Sequence, residues 1–146
     1  MSDVVFAVSD GVLLLDVAGP VQVFGSAGGY RVRLASVDGR PVRTDVGISL
    51  SVDLALGALD GDVDTLVVPG CPRDESGRVP PELVDTVRRI AARARRVVSV
   101  CTGAFVLARA GLLDGRRASG GGRRAGGRSS AMRRSCRGRQ ERLSRL

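Results

Sequence analysis

Val97-Val98-Ser99-Val100-Cys101-Thr102-Gly103-Ala104-Phe105-Val106-Leu107-Ala108 is the stretch that decides the fold. A short apolar run of this kind reads as a buried strand. It meets a cysteine, and helix-type residues follow at once. The small Gly103 and Ala104 let a sharp strand-to-helix turn close, as in the serine elbow of hydrolases. A residue at such a turn is held out at the C-terminal edge of a sheet. The first N–H groups of the following helix point back at it, and the helix dipole favours an anion there. Cys101 is therefore expected to form a thiolate readily and to act as a nucleophile or an oxidation-prone group. The competing reading is a buried, inert cysteine after a core strand, because free cysteine is among the most buried residue types.

Outward from this turn, Val4 to Val8 reads as a second buried strand, closed by Ser9-Asp10-Gly11. Leu13 to Phe24 carries apolar residues at helical spacing, broken by Gly19-Pro20, with Pro20 suited to the first turn of a helix. Tyr30 to Leu34 alternates as a strand does, and Val37-Asp38-Gly39-Arg40 makes a turn. Val42 and the Ile48 to Val52 alternation suggest smaller strands on an edge or hairpin. Thr65 to Val68 is an apolar buried strand ended by Pro69-Gly70. Pro80 to Ala94 is the clearest helix, with Leu83, Val84, Val87, Ile90 and Ala91 on its inner face. Arg88, Arg89, Arg93, Arg95 and Arg96 are expected on its outer face and end, as a solvated basic surface. Helices alternating with buried strands imply an α/β fold whose mostly parallel sheet is covered on both faces.

Charge is unevenly placed. Met1 to Ala118 holds 14 Arg and 14 acidic residues, whereas Ser119 to Leu146 holds 9 Arg and one acid, Glu141. The whole net charge of +8 belongs to that tail. The basic balance that would suggest a nucleic-acid partner applies only there. With no His in the chain, Cys–His and Ser–His catalytic pairs are excluded, as are zinc sites built on His. Cys71, Cys101 and Cys136 lack zinc-like spacing. No Gly-rich nucleotide-phosphate motif is present. Met1-Ser2-Asp3 is not the start of a signal peptide, and no run approaches the roughly 20 apolar residues of a membrane span. A cytoplasmic location and reduced thiols are expected.

The rest of a site should come from loops at the same sheet edge. Pro69-Gly70-Cys71-Pro72 follows the Thr65 strand, and its backbone N–H groups could form an oxyanion hole or simply a Gly/Pro turn. Asp16 stands among apolar residues in Leu14-Leu15-Asp16-Val17-Ala18-Gly19-Pro20. Such an acid is often a helix N-cap. Facing Cys101 instead, it would share one proton with the thiol.

Three motifs in order carry a resemblance. They are Leu15-Asp16-Val17-Ala18-Gly19-Pro20-Val21-Gln22-Val23-Phe24, Val67-Val68-Pro69-Gly70, and the run from Ser99 to Ala118. Together they resemble the DJ-one/PfpI superfamily over residues 3 to 118. The closest branch is the N-terminal domain of GlxA-type AraC-family transcription regulators, with the related isonitrile hydratases. The resemblance implies a three-layer α/β sandwich of the class I glutamine-amidotransferase type. It makes Cys101 the elbow cysteine and Asp16 its acidic partner. Thr102 becomes an elbow backbone donor, and Gly70 with Cys71 the opposite donor loop. Proteases of the superfamily carry His after the cysteine; Thr102 stands here.

Two departures follow. The family has Gly-Gly after the proline, and this chain has Gly70-Cys71, which crowds the pocket or places a second thiol close enough to Cys101 for redox coupling. After Ala118 the family continues with Thr-Thr-His-Trp, further strands and a closing helix, whereas Ser119-Gly120-Gly121 begins an Arg/Gly/Ser-rich tail here. Residues 1–118 are thus expected to form a partial PfpI-like domain, incomplete on its C-terminal side. Residues 119–146 are expected to be disordered. They read either as an out-of-frame translation or as a basic arm that binds nucleic acid weakly through charge. The function implied is the ligand-sensing domain of an AraC-type regulator without its DNA-binding domain, or a non-functional fragment of one. The alternatives are a cysteine-dependent, isonitrile hydratase-like lyase and a redox-sensing thiol protein. The expected partners are an unidentified small-molecule ligand and a second copy of the chain, with no cofactor, metal or membrane.

Overall fold

Val4, Val5, Phe6 and Val8 have no exposed surface, and this run forms the middle of the sheet. The computed structural model describes residues 1–71 and 79–116. The first strand, β1 (Ser2–Ala7), is buried on both faces and reads as a continuous apolar run for that reason. On one side it pairs in parallel with β2 (Tyr30–Ser36), Ser2 opposite Tyr30 and Ala7 opposite Ala35. On the other it pairs in parallel with β6 (Val63–Val68), Val4 opposite Thr65 and Phe6 opposite Val67.

The sheet is completed by β5 (Leu54–Ala55) beside β2 and β7 (Ala94–Ser99) beside β6, giving the order β5-β2-β1-β6-β7 with every pairing parallel. The expected pair of small strands is present as an antiparallel hairpin of β3 (Val42–Arg43) and β4 (Ser49–Leu50). This is the flavodoxin-like arrangement of the class I glutamine-amidotransferase type, and its element types match the alternation read from the sequence.

Alternating residues of the central strands feed two cores. Val5, Ala7, Leu66 and Val68 face α2 (Pro81–Ala91) and α3 (Gly103–Arg109). Val4, Phe6, Val8 and Val67 face α1 (Leu14–Ala27) and the hairpin. In α2 the buried positions Leu83, Val84, Val87 and Ile90 are the predicted inner face. Each contributes roughly 1.5–3 kcal/mol by leaving water.

Four expectations are corrected. First, Gly19-Pro20 does not break the first helix: α1 runs unbroken with Pro20 inside it. Proline removes one backbone donor. The packing of Val17, Val21 and Phe24 on one core holds the helix through that gap. Second, α2 stops at Ala91, and Arg95 and Arg96 belong to β7. Arg95 pairs with Asp64 on the neighbouring strand, and Arg93 donates to the Leu59 carbonyl. Third, the last strand is not fully buried: Val97 packs on the α2 core while Val98 is 42% exposed. Among the described residues β7 pairs only with β6. Fourth, Asp16 is not an N-cap. Leu13 occupies that position without a side-chain bond, and the carboxylate of Asp45 accepts the Leu14 N–H at 3.0 Å instead.

No described helix is long and apolar enough to cross a membrane. The 119–146 tail and Cys136 lie outside the described residues.

Candidate functional site

Because all five strands run the same way, their C-terminal ends share one edge of the sheet. The chain leaves β1 toward β2 but later returns to β1's other side as β6. Ligand crevices of open α/β sheets lie at the carboxyl ends of the strands where the order reverses in this way. Here that point lies between β1 and β6. The segment after β1 leads to Leu13 and Asp16, and the segment after β6 is Pro69-Gly70-Cys71.

These segments are joined directly. Asp16 Oδ2 accepts the Gly70 N–H at 3.1 Å, and the Leu13 N–H donates to the Gly70 carbonyl at 3.0 Å. Asp16 lies in the first turn of α1, where a carboxylate also suits the helix dipole. From the other side, the Thr102 hydroxyl donates to the Cys71 carbonyl at 3.4 Å. Gly70 has no space for a side chain. A β-carbon there would run into Asp16 Oδ2 and lie 3.1 Å from Thr102 Oγ1 and 3.2 Å from Leu13 Cδ1. Asp16 and Thr102, 86 positions apart in the chain, thus close over the same glycine.

Cys101 sits on the turn between β7 and α3. It is exposed, and its φ of 51° is the only positive value at a described residue other than glycine. A left-handed conformation brings Cβ close to the following carbonyl and costs an L-residue roughly 1–2 kcal/mol. The turn that forces it is anchored by the Val100 N–H on the Val68 carbonyl and the Gly103 N–H on the Val100 carbonyl, both at 3.0 Å. Gly103 packs so tightly over β6 that a β-carbon would run into the Val68 carbonyl and lie 2.7 Å from that of Pro69. The sequence reading valued Gly103 for closing the turn; the structure adds that it lets α3 lie against the end of β6.

Asp16, Gly70, Cys71 and Thr102 are therefore brought together, with Cys101 adjacent to Thr102 in the chain. Two details differ from the expected arrangement. The Gly70 N–H, expected as an oxyanion donor, is held by Asp16. Cys71 is 4% exposed in the core with Val68, Val106 and Leu107, whereas the free thiol of Cys101 is open to solvent. The sequence reading missed Leu13 and Asp45, which fix the start of α1; nothing local marks either, because their partners lie far away in the chain. No group of three or more His, Cys, Asp or Glu among the described residues could hold a metal ion.

The sequence profile of the DJ-1/PfpI family matches residues 2–123. The chain belongs to that family. Among other family-like proteins, an uncharacterized protein encoded in the cpoL 5' region of Streptomyces lividans is 46% identical over 120 residues, covering 80% of this chain and 84% of that protein. The isonitrile hydratase of Pseudomonas putida is 36% identical over 105 residues, covering 72% of this chain and 46% of the enzyme. An AraC family transcriptional regulator from Pseudomonas putida has a solved structure that superposes with a TM-score of 0.63 at 29% identity. It matches 80% of this chain and 64% of that one. The chain therefore spans less than half of the hydratase and under two thirds of the regulator structure. The DJ-1/PfpI domain here thus has relatives among both enzymes and transcriptional regulators.

Proposed function

We propose that residues 1–118 are a PfpI-like ligand-sensing domain of the AraC-regulator type, with Cys101 on a nucleophile elbow as the group that engages the ligand. The single observation that carries this reading is the strained, exposed Cys101 at the sheet edge where Asp16 and Thr102 close over Gly70. Strain of this kind persists only where surrounding structure enforces it, and it gathers at functional sites. In this reading Asp16 is the acidic partner of the thiol, and Cys71 and Thr102 are the backbone donors around it, the Gly70 N–H being taken by Asp16. The AraC-type reading places DNA contact outside these residues and places the domain in the cytoplasm.

The likeness to isonitrile hydratase supports a second reading. There the Cys101 thiolate would attack the isonitrile carbon, and Asp16 would manage the protons as water adds to give an N-substituted formamide. An alkyl isonitrile given to the 146-residue chain separates the two. Sensing predicts saturable, Cys101-dependent binding with no formamide beyond one equivalent. Formamide accumulating over many equivalents, and lost in Cys101→Ala, would replace the sensing reading with the hydratase one.

A further inference from the structure

The elbow helix α3 is only seven residues long, and its two ends are pinned in different ways. At the Cys101 end, Gly103 lies against the Val68 and Pro69 carbonyls, and its N–H donates to the Val100 carbonyl at 3.0 Å. At the far end, a helix leaves its last carbonyls without intrahelical donors. Those of Val106, Leu107 and Ala108 accept the N–H groups of Ala110, Leu112 and Gly111. Those of Arg109 and Ala110 are taken by one side chain of the neighbouring helix. Arg88 of α2 donates through Nε to the Ala110 carbonyl at 3.1 Å and through Nη2 to the Arg109 carbonyl at 3.3 Å. Its Nη1 donates to the Asp85 carboxylate at 3.0 Å, one turn back on α2, which orients the guanidinium. The sequence suggested a solvated cation at position 88. The side chain is indeed half exposed, yet each of its guanidinium nitrogens has a partner.

The apolar contacts of Val106, Leu107 and Ala110 with α2 are non-directional, so the hydrogen bonds at the two ends set where α3 lies along its axis. Only Thr102 separates Cys101 from α3, so a shift of the helix reaches the turn directly. That turn holds Cys101 at a φ of 51°, a conformation that persists only while its surroundings enforce it. We propose that Arg88 is a positioning residue for Cys101: it holds the far end of α3 so that the strained turn at the near end keeps the thiol at the crevice. The inference rests on the reading of Cys101 as the reactive group.

The test uses the 146-residue chain under conditions where urea titration shows each variant fully folded, so that lost global stability does not enter the rate. Iodoacetamide alkylates Cys101, forming a C–S bond as the C–I bond breaks and iodide leaves. Peptide mass mapping reads Cys101 apart from Cys71 and Cys136. Arg88→Met keeps the apolar stem and removes the donors. It is expected to slow the reaction about threefold, within the range of coupling exerted by residues remote from a site. Arg88→Lys, which keeps a cation at the end of α3, should recover most of the rate. Amide hydrogen exchange supplies a second readout. In Arg88→Met, exchange should quicken at Gly103, beside the elbow, as well as at Gly111, beside the lost bonds. Faster exchange at Gly111 with Gly103 and the Cys101 rate unchanged would reduce Arg88 to a local helix cap and overturn the proposal. A wild-type Cys101 that reacts no faster folded than unfolded would instead overturn the reading of Cys101 on which the proposal rests. If Arg88→Met does not fold, Asp85→Asn, which releases Nη1 and loosens the guanidinium, is read in the same way. No change at either Gly103 or Cys101 in that variant would overturn the proposal.

Discussion

Asp16 and Gly70, 54 positions apart, are joined by a 3.1 Å hydrogen bond from the glycine N–H to the carboxylate, which ties the start of α1 to the end of β6 across the reversal point of the sheet. The bond makes the shape of the site depend on the absence of a side chain at position 70.

Gly70→Ala should therefore destabilise the fold by about 1–3 kcal/mol, the usual cost of overpacking. Asp16→Ala in the same chain should recover part of that loss, because the two changes share one contact. Urea denaturation of the two single variants and the double variant measures the coupling. Strict additivity would show that the side chains do not compete for this space.

Gly103→Ala should cost more, about 3 kcal/mol or above, because a backbone carbonyl cannot rotate away as a side chain can. The obstructing atom is the Val68 carbonyl oxygen. The same denaturation experiment orders the two glycines, and a Gly103→Ala variant more stable than Gly70→Ala would contradict the packing of α3 on β6.

Cys101 holds a left-handed backbone. Glycine adopts that conformation without steric cost, and alanine does not. Cys101→Gly should be more stable than Cys101→Ala by about 1 kcal/mol, while both lose thiol chemistry. Equal thermal midpoints would remove the strain from the account.

Hydrogen bonds from Arg95 and then Thr65 hold the Asp64 carboxyl below its ordinary value. A carboxyl lowered in the folded state stabilises fully above its unfolded value of about 3.9. That stabilisation is lost as pH falls through the lowered folded value. The difference in thermal midpoint between wild type and Asp64→Asn should thus be largest near neutral pH and shrink below about pH 4. A difference independent of pH would show that the pair contributes nothing through charge.

The fold was legible where the chain changes period within a few residues. The run into Cys101 and out through Phe105 needs a strand, a tight turn and a helix in that order, and small residues at 103 and 104 leave few other solutions. Pro20 misled because a local signal was outweighed by distant packing on Val17, Val21 and Phe24. Arg95 and Arg96 look like a cationic helix end, yet one pairs across strands with Asp64. The two-residue β5 was not legible, because it exists only through its pairing with Ala35 and Ser36. At the site, the residue types could be named from motif and spacing. That Asp16 would claim the Gly70 donor could not, since nothing near either residue specifies a bond across that separation.

The most direct test of the central claim is the rate at which iodoacetamide modifies Cys101 in the folded 146-residue chain, set against the same cysteine in the urea-unfolded chain at equal pH. The account predicts faster reaction when folded, because the strained turn holds the thiol exposed at the sheet edge; Cys71, in the core, should be protected until unfolding. A folded Cys101 that reacts no faster than the unfolded one would contradict it.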